Sequence, residues 1–197
     1  MPVSNPLTDE GAVVSRAQDG ELAAFDQLVL AHQQEVFAVA LRMLGDHDEA
    51  QDAAQDVFVR AYRAIGAFRR EARLSTWLVS ITMNVCRNRR RWWARRKRLI
   101  VASIDDPVES EEGELSREVI DPAPSPAHTA QQRERQQQLT ATLQMLSEAQ
   151  RSVITLRDIQ GYSYEEIAQM LNCRVGTVKS RLNRARLQLR ALLDGKL

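Results

Sequence analysis

Residues Ser163 to Leu193, SYEEIAQMLNCRVGTVKSRLNRARLQLRALL, admit few arrangements other than two short helices crossing at a tight turn. Ser163 and Glu166 stand at capping-box spacing, where a hydroxyl takes one free backbone N–H and a carboxylate reaches back to another. Ile167, Ala168 and Leu171 give the first helix its inner face, and the small Ala168 lets a second helix cross closely. Asn172 falls where the chain must reverse, and asparagine tolerates the left-handed conformation better than most residues. Val175, Val178, Leu182, Ala185, Leu189 and Leu192 then recur at steps of three and four, the signature of one buried helix face. The other faces carry Thr177, Lys179, Ser180, Arg181, Asn183, Arg184, Arg186 and Arg190. A structural hairpin would share the caps and the apolar stripe. The small residue, the turn residue, the buried valine and the hydrogen-bond-donating outer face together predict a helix-turn-helix that enters a DNA major groove.

The rest of the chain also reads as helical. Only eight glycines and 5% aromatics accompany 44% hydrophobic and 27% charged residues, an ordinary soluble composition that favours helices. Residues 1–18, with Pro2 and Pro6, read as a loose leader. A helix is expected from near Gly20, with Leu22, Phe25, Leu28, Val29, Val36, Val39, Ala40, Met43 and Leu44 inward and Gly45 as its stop. A second helix spans about Asp48 to Ile65, with Asp46, Asp48 and Glu49 at its positive end and Ala50, Ala53, Ala54, Val57, Phe58, Ala61, Tyr62 and Ile65 buried. After a polar loop, Ser75 caps a third, whose core contacts are Trp77, Leu78, Ile81 and Val85. The fold class is all-α: one small bundle over 19–98 and a second helical domain over 131–197, which opens with a helix carrying Leu139, Leu143 and Leu146.

Between them, 99–130 loses periodicity, holds Pro107, Pro122, Pro124 and Pro126, and reads as a flexible acidic linker. The net charge of +1 conceals strong segregation: eight basic residues and no acid from Arg87 to Arg98, then eight acids against Arg117 from Asp105 to Asp121. Local fields decide what binds where. The basic run interleaves Trp92 and Trp93 with guanidinium groups, suiting phosphates and unpaired bases together. A solvated helix end with one Trp folded into the core is the competing reading. Asn84, Asn88 and Arg91 form a stripe at i, i+4, i+7; each amide can read a base edge or bond a neighbouring loop. Phe68 can stack on a base or plug the bundle.

Other classes find little support. Cys86 and Cys173 fall in different domains, His32, His47 and His128 form no cluster with them, and no metal or cofactor is expected. Asp52 and Asp56 lie one helical turn apart, but no further ligand or nucleophile motif joins them, so an enzyme is disfavoured. No secretory signal or membrane-length apolar stretch is visible, and a cytoplasmic protein without membrane insertion is expected.

Taken together, DEAQDAAQDVFVRAY (Asp48–Tyr62), FRREARLSTWLVSITMNVCRN (Phe68–Asn88) and YSYEEIAQMLNCRVGTVKSRLNRAR (Tyr162–Arg186) resemble the extracytoplasmic-function sigma factors of bacterial RNA polymerase, near their stress-response branch. The resemblance runs from about Gly20 to Leu193. It implies a sigma region 2 bundle, a sigma region 4 helix-turn-helix and no chemistry of the chain's own. Asp52, Gln55, Asp56 and Phe58 match the segment that docks on the clamp helices of core RNA polymerase, whose flap is a further contact. Phe68, Asn84, Asn88, Arg91 and Trp92 fall on the reader of the melted minus-ten element. Thr177, Lys179, Ser180, Asn183 and Arg184 fall on the reader of the minus-thirty-five element, with Arg181 and Arg186 on phosphates. Arg174 stands where the family often has proline, which adds a cation at the groove. The partners implied are core polymerase, promoter DNA and an anti-sigma factor. An ordinary helix-turn-helix regulator is the alternative, and it leaves the Asp52–Phe58 motif without a role.

The linker's 32 residues average about 31 Å when relaxed and reach about 105 Å at most. Two readers on one promoter lie about 34–70 Å apart, so the linker must be held extended when both are engaged.

Overall fold

The computed structural model describes residues 9–102 and 126–194. Among them are eight α-helices: α1 (Glu10–Gln18), α2 (Leu22–Leu44), α3 (His47–Ala64), α4 (Leu74–Ala102), α5 (Pro126–Gln144), α6 (Glu148–Ile154), α7 (Tyr164–Met170) and α8 (Val175–Asp194). The leader expected over 1–18 is, from Glu10, a packed helix. Asp9 caps it by accepting the Ala12 N–H at 3.0 Å, and Val13, Val14 and Ala17 bury one face against the bundle. Three apolar residues at i, i+1 and i+4 suffice for one contact stripe, which the polar surroundings hid.

α2 ends as its sequence dictates: Gly45 takes the left-handed conformation at φ 86° and returns its N–H to Leu41. Leu22 was expected inside but is exposed, because it occupies the first helical position at the rim. Asp46 caps α3 through the Glu49 N–H at 2.8 Å. Its buried face is Ala50, Ala53, Val57 and Ala61, small residues that let α2 and α4 approach closely. Tyr62 is also more exposed than expected; only its edge meets Phe25, with centroids 5.1 Å apart.

Ser75 is not the cap of α4. The helix starts at Leu74, anchored by that leucine's burial, and Trp77 already donates to the Arg73 carbonyl. α4 also continues to Ala102 and α5 begins at Pro126, so the linker read over 99–130 is helical at both ends. Proline suits a first helical position, where its missing N–H has no partner to lose. The acidic run from Asp105 to Asp121 lies outside the described residues. In α5, Leu143 is buried as expected while Leu139 is exposed.

The two helical units pack directly on one another. Arg151 of α6 is 1% exposed, and its guanidinium donates to four carbonyls: Leu143, Gln144 and Leu146 beside it and Met43 at the end of α2. A cation suits the negative ends of two helices. Gln144 donates to the Arg42 carbonyl at 3.1 Å and accepts from Arg90 at 3.2 Å. Farther along α2, the Tyr162 hydroxyl donates to Glu35 at 3.0 Å.

His32, 5% exposed, sits between Glu10 at 2.8 Å and Glu35 at 3.8 Å. Burial works to lower its pKa, but hydrogen bonds and charge from Glu35 and Glu10 outweigh it, so the value lies above the ordinary 6.5. The stability this ring contributes is therefore complete below about pH 6.5 and declines as pH rises through the higher folded-state value. Urea unfolding at pH 5.5 and 8.5 checks this: His32→Gln should lose more stability at the lower pH. Equal losses would show that the ring only packs.

Candidate nucleic-acid interface

The helix-turn-helix is built as its sequence specifies. The Ser163 N–H donates to Glu166 at 2.8 Å, and the Glu166 N–H donates to the Ser163 hydroxyl at 3.1 Å. Asn172 adopts φ 48°, the left-handed turn between α7 and α8. Val178, Leu182 and Ala185 are buried, so the register of α8 is set. Outward stand Arg174, Lys179, Ser180, Asn183 and Arg184, with Thr177 and Arg181 half-buried. Arg174 is the residue just before the helix, and its carbonyl accepts the Thr177 N–H at 2.8 Å. The Ser180 hydroxyl donates to the Thr177 carbonyl, and the Lys179 ammonium lies 5.4 Å from the Tyr164 ring centre. Arg186, expected on a phosphate, instead grips both oxygens of Asp158, at 3.0 and 2.6 Å. Asp158 lies in the helical turn that continues α6, and the packing of α6 against α8 brings it beside Arg186.

On α4, Asn84, Asn88 and Arg91 form an exposed stripe. The Phe68 ring lies 4.9 Å from Trp77 at a 30° tilt and is half-buried, which leaves part of it open. Phe68, Thr76, Trp77 and Ser80 line one side of a cleft of about 250 Å³. Glu166, Gln169 and Met170 of α7 line the other, so the two expected readers face each other.

The basic run divides by facing. Arg87 approaches Glu148 at 3.7 Å, Arg89 bonds Glu49 and Asp56 at 2.9 Å each, and Arg90 donates to the Met43 carbonyl at 3.0 Å. These three are committed inside the protein. Arg91, Arg95 and Arg96 face solvent beside Trp92 and Trp93, each Trp 48% exposed, so neither folds into the core as the competing reading required. The two indoles meet edge-on at 4.8 Å, and the Arg96 guanidinium lies 5.1 Å over Trp92.

On α3, Asp52 is the more open acid, with 66% side-chain exposure against 49% for Asp56. Gln55 is exposed and Phe58 packs half-buried against the core. Arg89 was not singled out from sequence; no periodicity marks which arginine of a run meets a neighbouring helix. Burial pushes the Cys86 thiol up to about 12, which leaves almost no reactive thiolate at neutral pH. Among the described residues, no helix is long and apolar enough to cross a membrane.

Comparison with known proteins agrees with this organisation. Residues 28–98 match Sigma-70 region 2, and residues 136–189 match Sigma-70, region 4. The chain is 38% identical to the RNA polymerase sigma-H factor of Pseudomonas aeruginosa, over 88% of each protein. It is 36% identical to the ECF RNA polymerase sigma-E factor of Escherichia coli K12, over 93% of each. Two solved structures resemble it across most of their length. One is CnrH in complex with the cytosolic domain of CnrY, with TM-score 0.65, 27% identity, and 96% of this chain and 99% of that one covered. The other is the sigma factor RpoE with the anti-sigma factor NepR from Bartonella quintana, with TM-score 0.63, 30% identity, and 86% and 96% covered. The chain belongs to the extracytoplasmic-function sigma factors, non-enzymatic proteins that direct RNA polymerase to promoters.

Proposed function

We propose that the two donor faces divide the promoter between them. α8 enters the duplex at the minus-thirty-five element, with Lys179, Ser180, Asn183 and Arg184 toward base edges and backbone. Thr177 and Arg181 flank them, and Arg174 influences which upstream sequence is preferred. α4 captures the melted minus-ten strand, with Asn84 and Asn88 toward base edges, Arg91 on phosphate, and Phe68 and Trp92 as stacking surfaces. Asp52, Gln55, Asp56 and Phe58 on α3 meet the clamp helices of core polymerase, and the second helical unit meets the flap. The observation that carries this reading is the exposed Asn84–Asn88–Arg91 stripe beside the exposed Trp92–Trp93 pair.

Arg186, more than half exposed, reaches a phosphate by exchanging its surface ion pair with Asp158. An anti-sigma factor is the fitting regulator: the similar sigma factor RpoE of Bartonella quintana was captured with one. Because α7 faces the Phe68–Trp77 cleft in the free chain, the readers must separate before they can engage elements one to two DNA turns apart.

Run-off transcription from a randomised promoter pool tests the whole reading. Purified chain plus core polymerase should select two conserved blocks, while the chain alone binds the same DNA weakly. Tight, sequence-specific binding without polymerase would instead favour a self-sufficient helix-turn-helix regulator.

A further inference from the structure

The loop that carries Phe68 is closed by one bond of its own, from the Phe68 N–H to the Ile65 carbonyl at 3.0 Å, and is otherwise held from outside. Its carbonyls point at α1, a helix that lies wholly before the residues matching Sigma-70 region 2. The Gln18 side-chain amide donates to the Ile65 carbonyl at 3.0 Å and to the Phe68 carbonyl at 2.8 Å. The oxygen of the same amide accepts from Arg70 at 2.7 Å. Arg70 also donates to the Ser15 hydroxyl at 2.7 Å, and that hydroxyl is oriented by its own bond to the Gly11 carbonyl at 3.1 Å. Every hydrogen-bonding end of Gln18 that meets this loop is thus in use.

Arg70 is one of two described non-glycine residues with positive φ, at 60°. The other, Asn172, is of a type that tolerates this conformation, whereas arginine is not, and such a residue persists only where its surroundings over-determine it. Here the surroundings are Ser15 and Gln18. The strain turns the chain sharply two residues after Phe68, between the ring and the first turn of α4. A loop that relaxed at Arg70 would carry Phe68 off Trp77.

We infer that Gln18 and Arg70 form a clamp through which α1 positions the Phe68 loop for reading the minus-ten strand. This rests on the proposed role of that loop. Neither residue touches DNA; both act by fixing where the Phe68 ring stands before a base arrives. Side chains that hold a contact residue within a fraction of an ångström decide how sharply it discriminates.

Three variants test it, with the full chain and core polymerase. Gln18→Glu keeps side-chain length and the acceptor for Arg70 but removes both donors to the loop. Arg70→Gly accepts the positive φ without strain but removes the clamp bonds. Phe68→Ala probes the loop itself. For each, run-off transcription is compared on a parent promoter and on single-base changes in the minus-ten element, with the upstream element constant. Core affinity and melting temperature are measured alongside.

Gln18→Glu and Arg70→Gly should each reduce discrimination by about tenfold, the order of one base contact, while core affinity stays within about twofold. A merely structural staple would lower melting temperature and core affinity and leave the base preference unaltered; that result overturns the clamp. Loss of preference with Phe68→Ala, but not with Gln18→Glu or Arg70→Gly, also overturns it. If Phe68→Ala itself leaves the preference unchanged, the reading role of the loop fails, and the inference built on it falls for that distinct reason.

Discussion

Joining positions 45 and 144 by a disulfide is expected to silence two-element promoters by at least about 30-fold, since losing two base contacts at about 1–3 kcal/mol each removes ~2 kcal/mol or more. A β-carbon at Gly45 would stand 2.7 Å from the Gln144 γ-carbon. Cysteine at 144 removes that γ-carbon, and the β-carbon one bond of ~1.5 Å behind it lies within reach of the ~3.5–4.5 Å separation of β-carbons across a disulfide. Gly45→Cys with Gln144→Cys therefore pins the end of α2 to the end of α5, and the two helical units stay together. The positive φ at position 45 costs a non-glycine residue about 1–2 kcal/mol, which the reduced double variant controls for. Cys86 is buried, so it offers little competition during oxidation, and Cys173→Ser removes the remaining thiol. Reduction should restore transcription; the unmodified chain should respond to neither treatment. Full activity of the oxidised form would mean that the readers need not part, and would undo the two-element mechanism.

Arg151→Met should cost about 3–5 kcal/mol, since each buried carbonyl left without its donor costs about 1–3 kcal/mol and water can reach some of them. Four carbonyls converge on this guanidinium, three of them within the α5–α6 corner and one from α2. Methionine fills much of the volume and leaves all four acceptors without that donor, at about 1–3 kcal/mol for each that stays dry. Urea unfolding of the intact chain measures it, and a loss below 1 kcal/mol would show that water reaches the corner readily. Gln144→Ala supplies the contrast, because Gln144 bonds across the interface to Arg42 and Arg90. It should loosen the contact between units, with a smaller effect on the stability of the second unit itself.

The helix-turn-helix was legible almost to the residue. Its capping box, its left-handed Asn172 and its buried Val178, Leu182 and Ala185 are all local patterns, written within one or two turns of helix. The region 2 bundle was legible for the same reason, from the alanine face of α3 to the glycine that stops α2. The family resemblance added what periodicity lacks, the assignment of Asp52, Gln55, Asp56 and Phe58 to a partner.

Charge was harder to read. From Arg87 to Arg98 every cation has the same standing in a sequence, yet Arg87, Arg89 and Arg90 turn inward to Glu148, to Glu49 and Asp56, and to the Met43 carbonyl. Arg186 likewise carries a surface ion pair with Asp158 that its sequence position does not announce. α1 was missed because three apolar residues in a polar stretch make a weak signal, though they bury one helix face completely enough to set the loop at Phe68.

Chain order and residue type determined the helices, their caps and which faces avoid water, since each depends on neighbours a few positions away. Tertiary packing decided which cations are left for nucleic acid and that the two readers rest against each other. Those outcomes depend on bonds between residues 102, 108 and 127 positions apart, as in Gln144 to Arg42, Arg151 to Met43 and Tyr162 to Glu35. No local pattern encodes such meetings, because they exist only once separate helices have been brought together.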